Sequence, residues 1–369
     1  MSRVAASWWA VLAHDARGSA RGLEGIHPAL APRTGAAVWA PLVGLALACG
    51  DASRAGDAGR AGDAGISEDA WALREDVAPS AGDSSTPRAD AEAPRDGAVI
   101  GDHVRVRLHD GRIIEGEWVW RYDHRRWRHG ADDEATLALF TYARALVMVP
   151  ESMVSSGPSP LTPAGPSFLE SQRALGHLVD GLPLFGTWQV YQGAGGYHLE
   201  EDGYGDFAWD FVRVGADGRS YGGSGLRNED YYAFGEDVSL TATATVVFVA
   251  RDADDNAPGS FVDGELGNVV GVDVGGGYGL YFFHLMRGSV PAEVTVGAAL
   301  PAGARVGRVG NSGWSLAPHL HLVMYAYDEG AQRFFSVPAE VRSLRVGTSA
   351  QTLEARRFVV PRTGEFVAR

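Results

Sequence analysis

The segment 317–323, which reads Ala-Pro-His-Leu-His-Leu-Val, contains the two histidines best placed for metal chemistry. Its alternation of residue types predicts a β-strand, and residues two apart on a strand lie on the same face. His319 and His321 should therefore lie side by side, while Leu320 and Leu322 turn into the core. Two neighbouring imidazoles can bind a metal, and two half-buried strand histidines can equally be structural.

Three further residues stand in patterns that suit the same chemistry. Asp210 lies between Trp209 and Phe211, so a strand here would bury the aromatic rings and turn the carboxylate to the opposite face. A carboxylate in such surroundings needs a strong partner, and a metal is one. An aspartate that caps a turn or pairs with an arginine is the alternative. His198 lies twelve residues upstream, before an acidic loop, and His284 stands in an otherwise apolar strand pattern. A hydrogen-bonded core histidine is the alternative interpretation of His284.

Taken together, the order His, Asp, His, His-x-His resembles the LytM/lysostaphin-like zinc metallopeptidases, peptidase family M23. The segment 310–313, Gly-Asn-Ser-Gly, is similar to the family's Gly-Asn-x-Gly turn before the His-x-His motif. The segment 302–307 is similar to the family's Gly-x-x-Val-x-x-Gly approach. The resemblance spans residues 185–325 and implies a mainly β C-terminal domain, an antiparallel β-sandwich of the LytM/duplicated-hybrid-motif type.

The resemblance also implies a role for each candidate residue. The zinc ligands would be His198, Asp210 and His321. The catalytic residues would be His284 and His319. Eleven residues separate the first ligand from the aspartate, against three in the common family pattern. His177 is therefore the alternative first ligand, although it lies outside the matched region.

The implied ligand set suits hydrolysis. Two imidazoles and one carboxylate leave a fourth tetrahedral position for water, whose pKa zinc lowers to about 7. The catalytic histidines would orient or deprotonate that water and stabilise the developing oxyanion. The expected activity is that of a zinc metalloendopeptidase with Zn²⁺ as cofactor, acting on peptidoglycan peptides or on another peptide substrate.

Three other functions fit parts of the pattern. A non-catalytic LytM-like module would bind the cell wall or activate another wall hydrolase. A serine hydrolase would use the Gly-Asn-Ser-Gly turn as its nucleophile, but no strand-to-helix Gly-x-Ser-x-Gly elbow is present. A sugar-phosphotransferase carrier would share a β architecture and two active-site histidines, and the expected export and the aspartate ligand argue against it.

Composition excludes several mechanisms and partners. The net charge of -14 argues against binding to nucleic acid or to an anionic membrane surface, because both repel an acidic protein. All of the basic residues other than histidine are arginines, which excludes Lys-based Schiff-base chemistry. A single cysteine, Cys49, permits neither an intramolecular disulfide nor a Cys-rich zinc cluster. A bound metal must therefore use His and carboxylate ligands. We also expect the protein to be a monomer.

The N-terminal part of the chain indicates export. The apolar run 36–48 has the size of a signal-peptide h-region and is too short to span a bilayer. The segment 45–49, Leu-Ala-Leu-Ala-Cys, resembles a lipobox whose leucine lies one residue too early. A lipid anchor on Cys49 would place the protein in the cell envelope, in the periplasm or at the outer membrane. An ordinary cleaved signal or an apolar core segment is the alternative.

The pattern predicts six segments along the chain. They are a leader (1–49), a disordered linker (50–97), a small β-rich domain that begins with a hairpin (98–150), a second linker (151–167), the M23-like domain (168–345) and a C-terminal tail (346–369). Residues 131–149 fit helix or strand equally. The four histidines of the small domain stand among arginines without metal-like pairing, and we expect them to be surface residues: His103, His109, His124 and His129.

Overall fold

The computed structural model describes residues 101–122, 135–193, 204–262, 265–328 and 333–369. It confirms the expected fold class, because this part of the chain is mainly β and its paired strands are antiparallel. The predicted leader and linker, with Cys49, lie outside the described residues, as do His124 and His129. Among the helices described, none is both long and apolar enough to cross a membrane.

The N-terminal sheet has five strands in the order β4-β3-β2-β1-β5. Their bounds are β1 (His103–Leu108), β2 (Ile113–Tyr122), β3 (Thr136–Thr141), β4 (Leu146–Pro150) and β5 (Val154–Pro160). The predicted hairpin is present, and Gly111 has the positive φ (+88°) that its turn requires. The segment that fitted helix or strand forms two strands. The predicted second linker needs correction, because β5 pairs with β1 within it.

A short helix, α1 (Phe168–Leu175), connects this sheet to the C-terminal domain. The Ser167 side chain accepts a hydrogen bond from the amide of Glu170, whose own side chain accepts from the Ser167 amide. This reciprocal capping satisfies two amides at the start of the helix. Gly176 ends the helix in the left-handed conformation at φ +81°.

The main sheet has eleven strands, in the order β12-β9-β10-β11-β14-β7-β6-β18-β16-β17, and β15 pairs with β14. A separate pair is formed by β8 and β13. The bounds are β6 (Thr187–Gln192), β7 (Trp209–Val212), β8 (Asp237–Ser239), β9 (Ala244–Ala250), β10 (Asn268–Gly275), β11 (Tyr278–Leu285), β12 (Ala299–Leu300), β13 (Arg305–Arg308), β14 (Leu320–Asp328), β15 (Arg333–Ser336), β16 (Val341–Gly347), β17 (Glu354–Val359) and β18 (Phe366–Ala368).

The end of the chain is part of this sheet. Residues 346–369, predicted as a tail, contain β17 and β18, and β18 pairs with both β6 and β16. The boundary at 345 is therefore corrected. Because β6 pairs in turn with β7, the C-terminal strand supports the strand that carries Asp210.

The two sheets share one hydrophobic core. Trp120 packs edge-on against Phe207 with ring centroids 5.0 Å apart, and Tyr122 packs against Phe335 at 4.9 Å. The Tyr122 hydroxyl also donates a 2.5 Å hydrogen bond to the carbonyl of Ser336. Trp120, Tyr122, Phe207 and Phe335 are each at most 6% exposed. One face of the N-terminal sheet thus packs into the core of the C-terminal domain across the linker predicted at 151–167, while its other face carries a smaller hydrophobic cluster of its own.

Candidate metal centre

Three adjacent strands place the predicted site residues on one face of the main sheet. His321 on β14 is the Cα partner of Asp210 on β7 and of Phe283 on β11. Because side chains alternate along a strand, Leu320 and Leu322 enter the core while His321 points to the opposite face. Trp209 and Phe211 enter the same core, which leaves Asp210 beside His321, as the alternation predicted.

A β-bulge brings His284 to the same face. Along β10, Asn268 pairs with Leu285 and Val270 with Phe282, so three steps on β11 oppose two on β10. His284 itself has a φ of +59°, a left-handed conformation that is uncommon for histidine. Both Phe282 and Leu285 can therefore point into the core. The extra residue turns the His284 side chain toward the imidazoles of His319 and His321 instead.

Hydrogen bonds hold the two predicted catalytic imidazoles in a defined orientation. Nδ1 of His284 lies 2.9 Å from the carbonyl of Ser312, and Nδ1 of His319 lies 2.7 Å from the carbonyl of Ala317. A carbonyl oxygen only accepts hydrogen bonds, so we assign the proton of each ring to Nδ1. Nε2 of each neutral ring is then left with its lone pair, available for a metal or a proton.

The Nδ1 atom of His321 faces a carboxylate instead of a backbone carbonyl. It lies 2.9 Å from Oδ1 of Asp210, and Nε2 of His319 lies 3.5 Å from the same oxygen. The three rings form a compact group, in which the centroid of His284 lies 4.9 Å from that of His319 and 5.6 Å from that of His321. One nitrogen of each ring lies within 4.8 Å of the others.

Burial makes His284 a neutral imidazole. The loss of solvent around the ring lowers its pKa well below the usual range, and the neighbouring His319 and His321 lower it further. The Ser312 carbonyl and the Asp210 carboxylate raise the pKa, but they do not outweigh burial. His284 therefore holds an unprotonated Nε2 at neutral pH.

This group of donors fits zinc. A tetrahedral zinc with bonds near 2.1 Å places its ligand atoms about 3.4 Å apart. The 3.5 Å between Asp210 and His319 is close to this value. The 2.9 Å between Asp210 and His321 is a hydrogen-bond distance, and these two atoms would have to separate by about 0.5 Å to bind one zinc ion. The carbonyl partners of His284 and His319 are the kind that orient metal-site histidines. Which residues are ligands and which are catalytic stays a prediction.

The structure describes one of the two candidate first ligands. His198 lies outside the described residues. His177 lies near the other end of β11, where its Nδ1 is 2.9 Å from Oε1 of Gln172 and its ring packs against Tyr278. Tyr278 and His284 are six residues apart on that strand, or about 20 Å. His177 is therefore not brought to the site.

The two described histidines of the N-terminal sheet region, His103 and His109, are not at the site either. His103 was expected at the surface, but it is 7% exposed and stacks on Tyr142. Its Nδ1 lies 3.2 Å from the Tyr142 hydroxyl. His109 lies in the exposed turn after β1, as expected.

The sequence pattern did not identify Asn268, which supports the bulge. Its side chain donates to the carbonyls of Ala253 and Leu285 and accepts from the amide of Ala253, each at 2.9 Å. Ser312 completes this support, since its Oγ donates to the carbonyl of Leu285 and accepts from the amide of Asn268. In the sequence, this supporting role could have been suspected from a single asparagine at the start of an apolar strand. Ser312 is fully buried and structural, which argues against the serine hydrolase.

Comparison with known proteins gives one family match. Residues 230–333 match the model described as peptidase family M23. The expected resemblance to peptidase family M23 is confirmed for the C-terminal domain. The matched residues include His284, His319 and His321, while Asp210 lies before them and joins them through the pairing of β7 with β14.

Solved structures of M23 proteins are similar to part of the chain. The catalytic domain of the antimicrobial peptidase lysostaphin from Staphylococcus simulans is 20% identical, with 38% of this chain and 79% of that domain covered and a TM-score of 0.22. For complete lysostaphin the identity is 18%, the coverage 45% and 46%, and the TM-score 0.25. The catalytic domain of the prophage-encoded M23 protein EnpA from Enterococcus faecalis is 25% identical, with 34% and 92% covered and a TM-score of 0.17. No curated protein matches the chain.

Proposed function

We propose that the C-terminal domain is a zinc-dependent endopeptidase that hydrolyses peptide bonds, with peptidoglycan peptides as its substrates. One observation carries the proposal: a carboxylate and three imidazoles converge on one sheet face, and backbone carbonyls hold two of the imidazoles through Nδ1. The M23 family match supports peptidase chemistry for this domain. The lysostaphin structures, described as an antimicrobial peptidase, make the bacterial cell wall the natural substrate to test.

The residues divide by what their atoms can do. Asp210 and His321 would hold the metal, with His198 as the expected third ligand. Bound zinc would activate a water molecule for attack on the amide carbonyl near neutral pH. The water adds its oxygen to the carbonyl carbon, the C–N bond breaks, and the departing nitrogen takes up a proton.

His284 and His319 would carry the proton transfers. Nε2 of each ring can accept a proton from the attacking water and return it to the leaving amine. The protonated imidazole also stabilises the oxyanion that forms on the carbonyl oxygen. The Nδ1 hydrogen bonds to Ser312 and Ala317 keep the rings from rotating while the proton moves. Burial keeps His284 neutral before the reaction, so its Nε2 carries a free lone pair.

Zinc content and peptidoglycan hydrolysis of full-length variants test these roles. We expect Asp210→Asn and His321→Gln to lose about one zinc per chain and all hydrolysis. His284→Gln and His319→Gln should keep the zinc and lose hydrolysis by about a hundredfold or more. His109→Gln, in an exposed turn, is the matched control and should change neither. Loss of zinc in His284→Gln and His319→Gln but not in Asp210→Asn would show that the three histidines are the ligands instead.

A further result would replace the enzyme by the alternative module. If the folded wild-type chain hydrolyses no peptidoglycan when loaded with zinc, but binds it, the domain is a non-catalytic wall-binding module. Circular dichroism of each variant shows whether a loss comes from misfolding.

We also propose that the chain is exported and anchored in the cell envelope through Cys49. The apolar run before this cysteine supports the proposal. Detergent phase partitioning of the wild type and of Cys49→Ala tests it. The wild type should enter the detergent phase and the variant the aqueous phase, and equal partitioning would rule out the anchor.

A further inference from the structure

An apolar hollow lies on the same sheet face as the metal centre. It is a shallow hollow that encloses about 30 Å³ and is otherwise open to solvent. The residues that line it are uncharged and mostly aromatic, among them Tyr204, Phe248, Leu266, Tyr281, Phe283 and Tyr325. We call this hollow the aromatic pocket. The proposed chemistry uses none of these residues.

Strand register places the aromatic pocket next to the metal centre. Phe283 is the Cα partner of His321, and their rings meet edge-on with centroids 5.4 Å apart. The next row on this face crosses the sheet through Phe248, Gly271 and Tyr281. Two residues along a strand correspond to about 6.6 Å. The pocket therefore begins within one or two substrate residues of the metal centre.

Gly271 makes room for the floor of the aromatic pocket. A Cβ atom built on this glycine would lie 2.4 Å from the ring of Tyr281. The ring thus lies over the backbone of β10, between β9 and β11, where a side chain would otherwise fill the face. Tyr281 is 2% exposed and packs against Tyr325 at 5.2 Å, so the floor is well packed.

The chemistry of the lining identifies the occupant. Charged and strongly polar side chains would lose hydration in an aromatic lining without gaining partners, while an apolar side chain gains by leaving water. Leu266, at the rim, is 43% exposed and would be covered by such a group. On the basis of the proposed endopeptidase, we propose that the aromatic pocket binds a bulky apolar side chain of the substrate peptide, one or two residues from the scissile bond.

A peptide panel tests this substrate preference with the full-length, zinc-loaded protein. All peptides share one parent sequence. At each position that flanks the scissile bond, one position at a time, the panel places Gly, Leu, Phe, Asp or Arg. At one of these positions we expect kcat/KM for Leu and Phe to exceed that for Gly by about tenfold or more. Asp and Arg should be cleaved no better than Gly.

Two variants connect the preference to the pocket. Phe248→Ala and Leu266→Ser should reduce the Leu-to-Gly ratio of kcat/KM several-fold, mainly by raising KM for the Leu peptide. Leu175→Ser is the matched control, because Leu175 is also a half-exposed leucine, 58% exposed at the end of α1. This control should keep the wild-type ratio.

The outcomes separate the two proposals. Hydrolysis without any apolar preference, or a preference that Phe248→Ala and Leu266→Ser leave intact, overturns the assignment of the aromatic pocket. The endopeptidase remains in that case. If neither the peptides nor peptidoglycan are hydrolysed by the folded, zinc-loaded protein, the proposed function itself fails.

Discussion

Removal of the N-terminal sheet should unfold the domain that carries the metal centre. A fragment of residues 161–369 would keep α1 and every strand of the main sheet but lose the partners of the shared core. Four aromatic side chains that are now at most 8% exposed would meet water: Phe168, Phe207, Tyr278 and Phe335. Each buried side chain of this size contributes about 1.5–3 kcal/mol. The loss is then about 6–12 kcal/mol, comparable with the entire stability of a typical protein, about 5–15 kcal/mol.

Thermal unfolding followed by circular dichroism compares this fragment with residues 101–369. We expect the longer fragment to unfold cooperatively and to bind zinc, and the shorter one to show no cooperative transition. Trp120→Ala in the longer fragment is an intermediate case, which should lose about 3–5 kcal/mol because its indole packs on Phe207. A cooperative transition of the shorter fragment at the same temperature as the longer one would refute the shared core.

Three other changes test the site and its support. Ser312→Ala leaves the buried Asn268 amide without its partner and removes one of the two side-chain donors to the Leu285 carbonyl. It should cost about 1–3 kcal/mol in chemical denaturation and still permit hydrolysis, whereas complete inactivation of the folded variant would favour a serine nucleophile. In the metal-free folded protein, burial lowers the pKa of His284 below its value in the unfolded chain. As the pH falls below about 6.5, His284 is therefore protonated in the unfolded chain while it stays neutral in the folded protein, which favours unfolding. The melting temperature should therefore fall from pH 7.5 to pH 5, and less steeply in His284→Gln; equal slopes would contradict this. Gly271→Ala should lower the melting temperature and abolish the preference for apolar side chains, because the added Cβ would displace the Tyr281 ring. If this variant keeps the wild-type preference, the Tyr281 ring does not form the floor of the aromatic pocket.

Local residue patterns were sufficient to predict much of the main sheet. Alternation identified the strands around Asp210, His284 and His321, which became β7, β11 and β14. It also placed Asp210 and His321 on faces away from the core, since side-chain direction on a strand follows from a period of two residues. The candidate metal ligands Asp210 and His321 could therefore be recognised in the sequence as polar residues within apolar strands.

The pairing of distant strands decided the rest. Alternation alone would have turned His284 into the core, and the bulge that turns it to the site depends on how β11 pairs with β10. The positions of β5 and β18 depend in the same way on partners far along the chain, so these segments resembled a linker and a tail. Trp120 and Phe207 are buried by each other across two sheets, and no local pattern records which apolar faces will meet. Periodicity determines the direction of a side chain within one strand, while register and packing determine its neighbours.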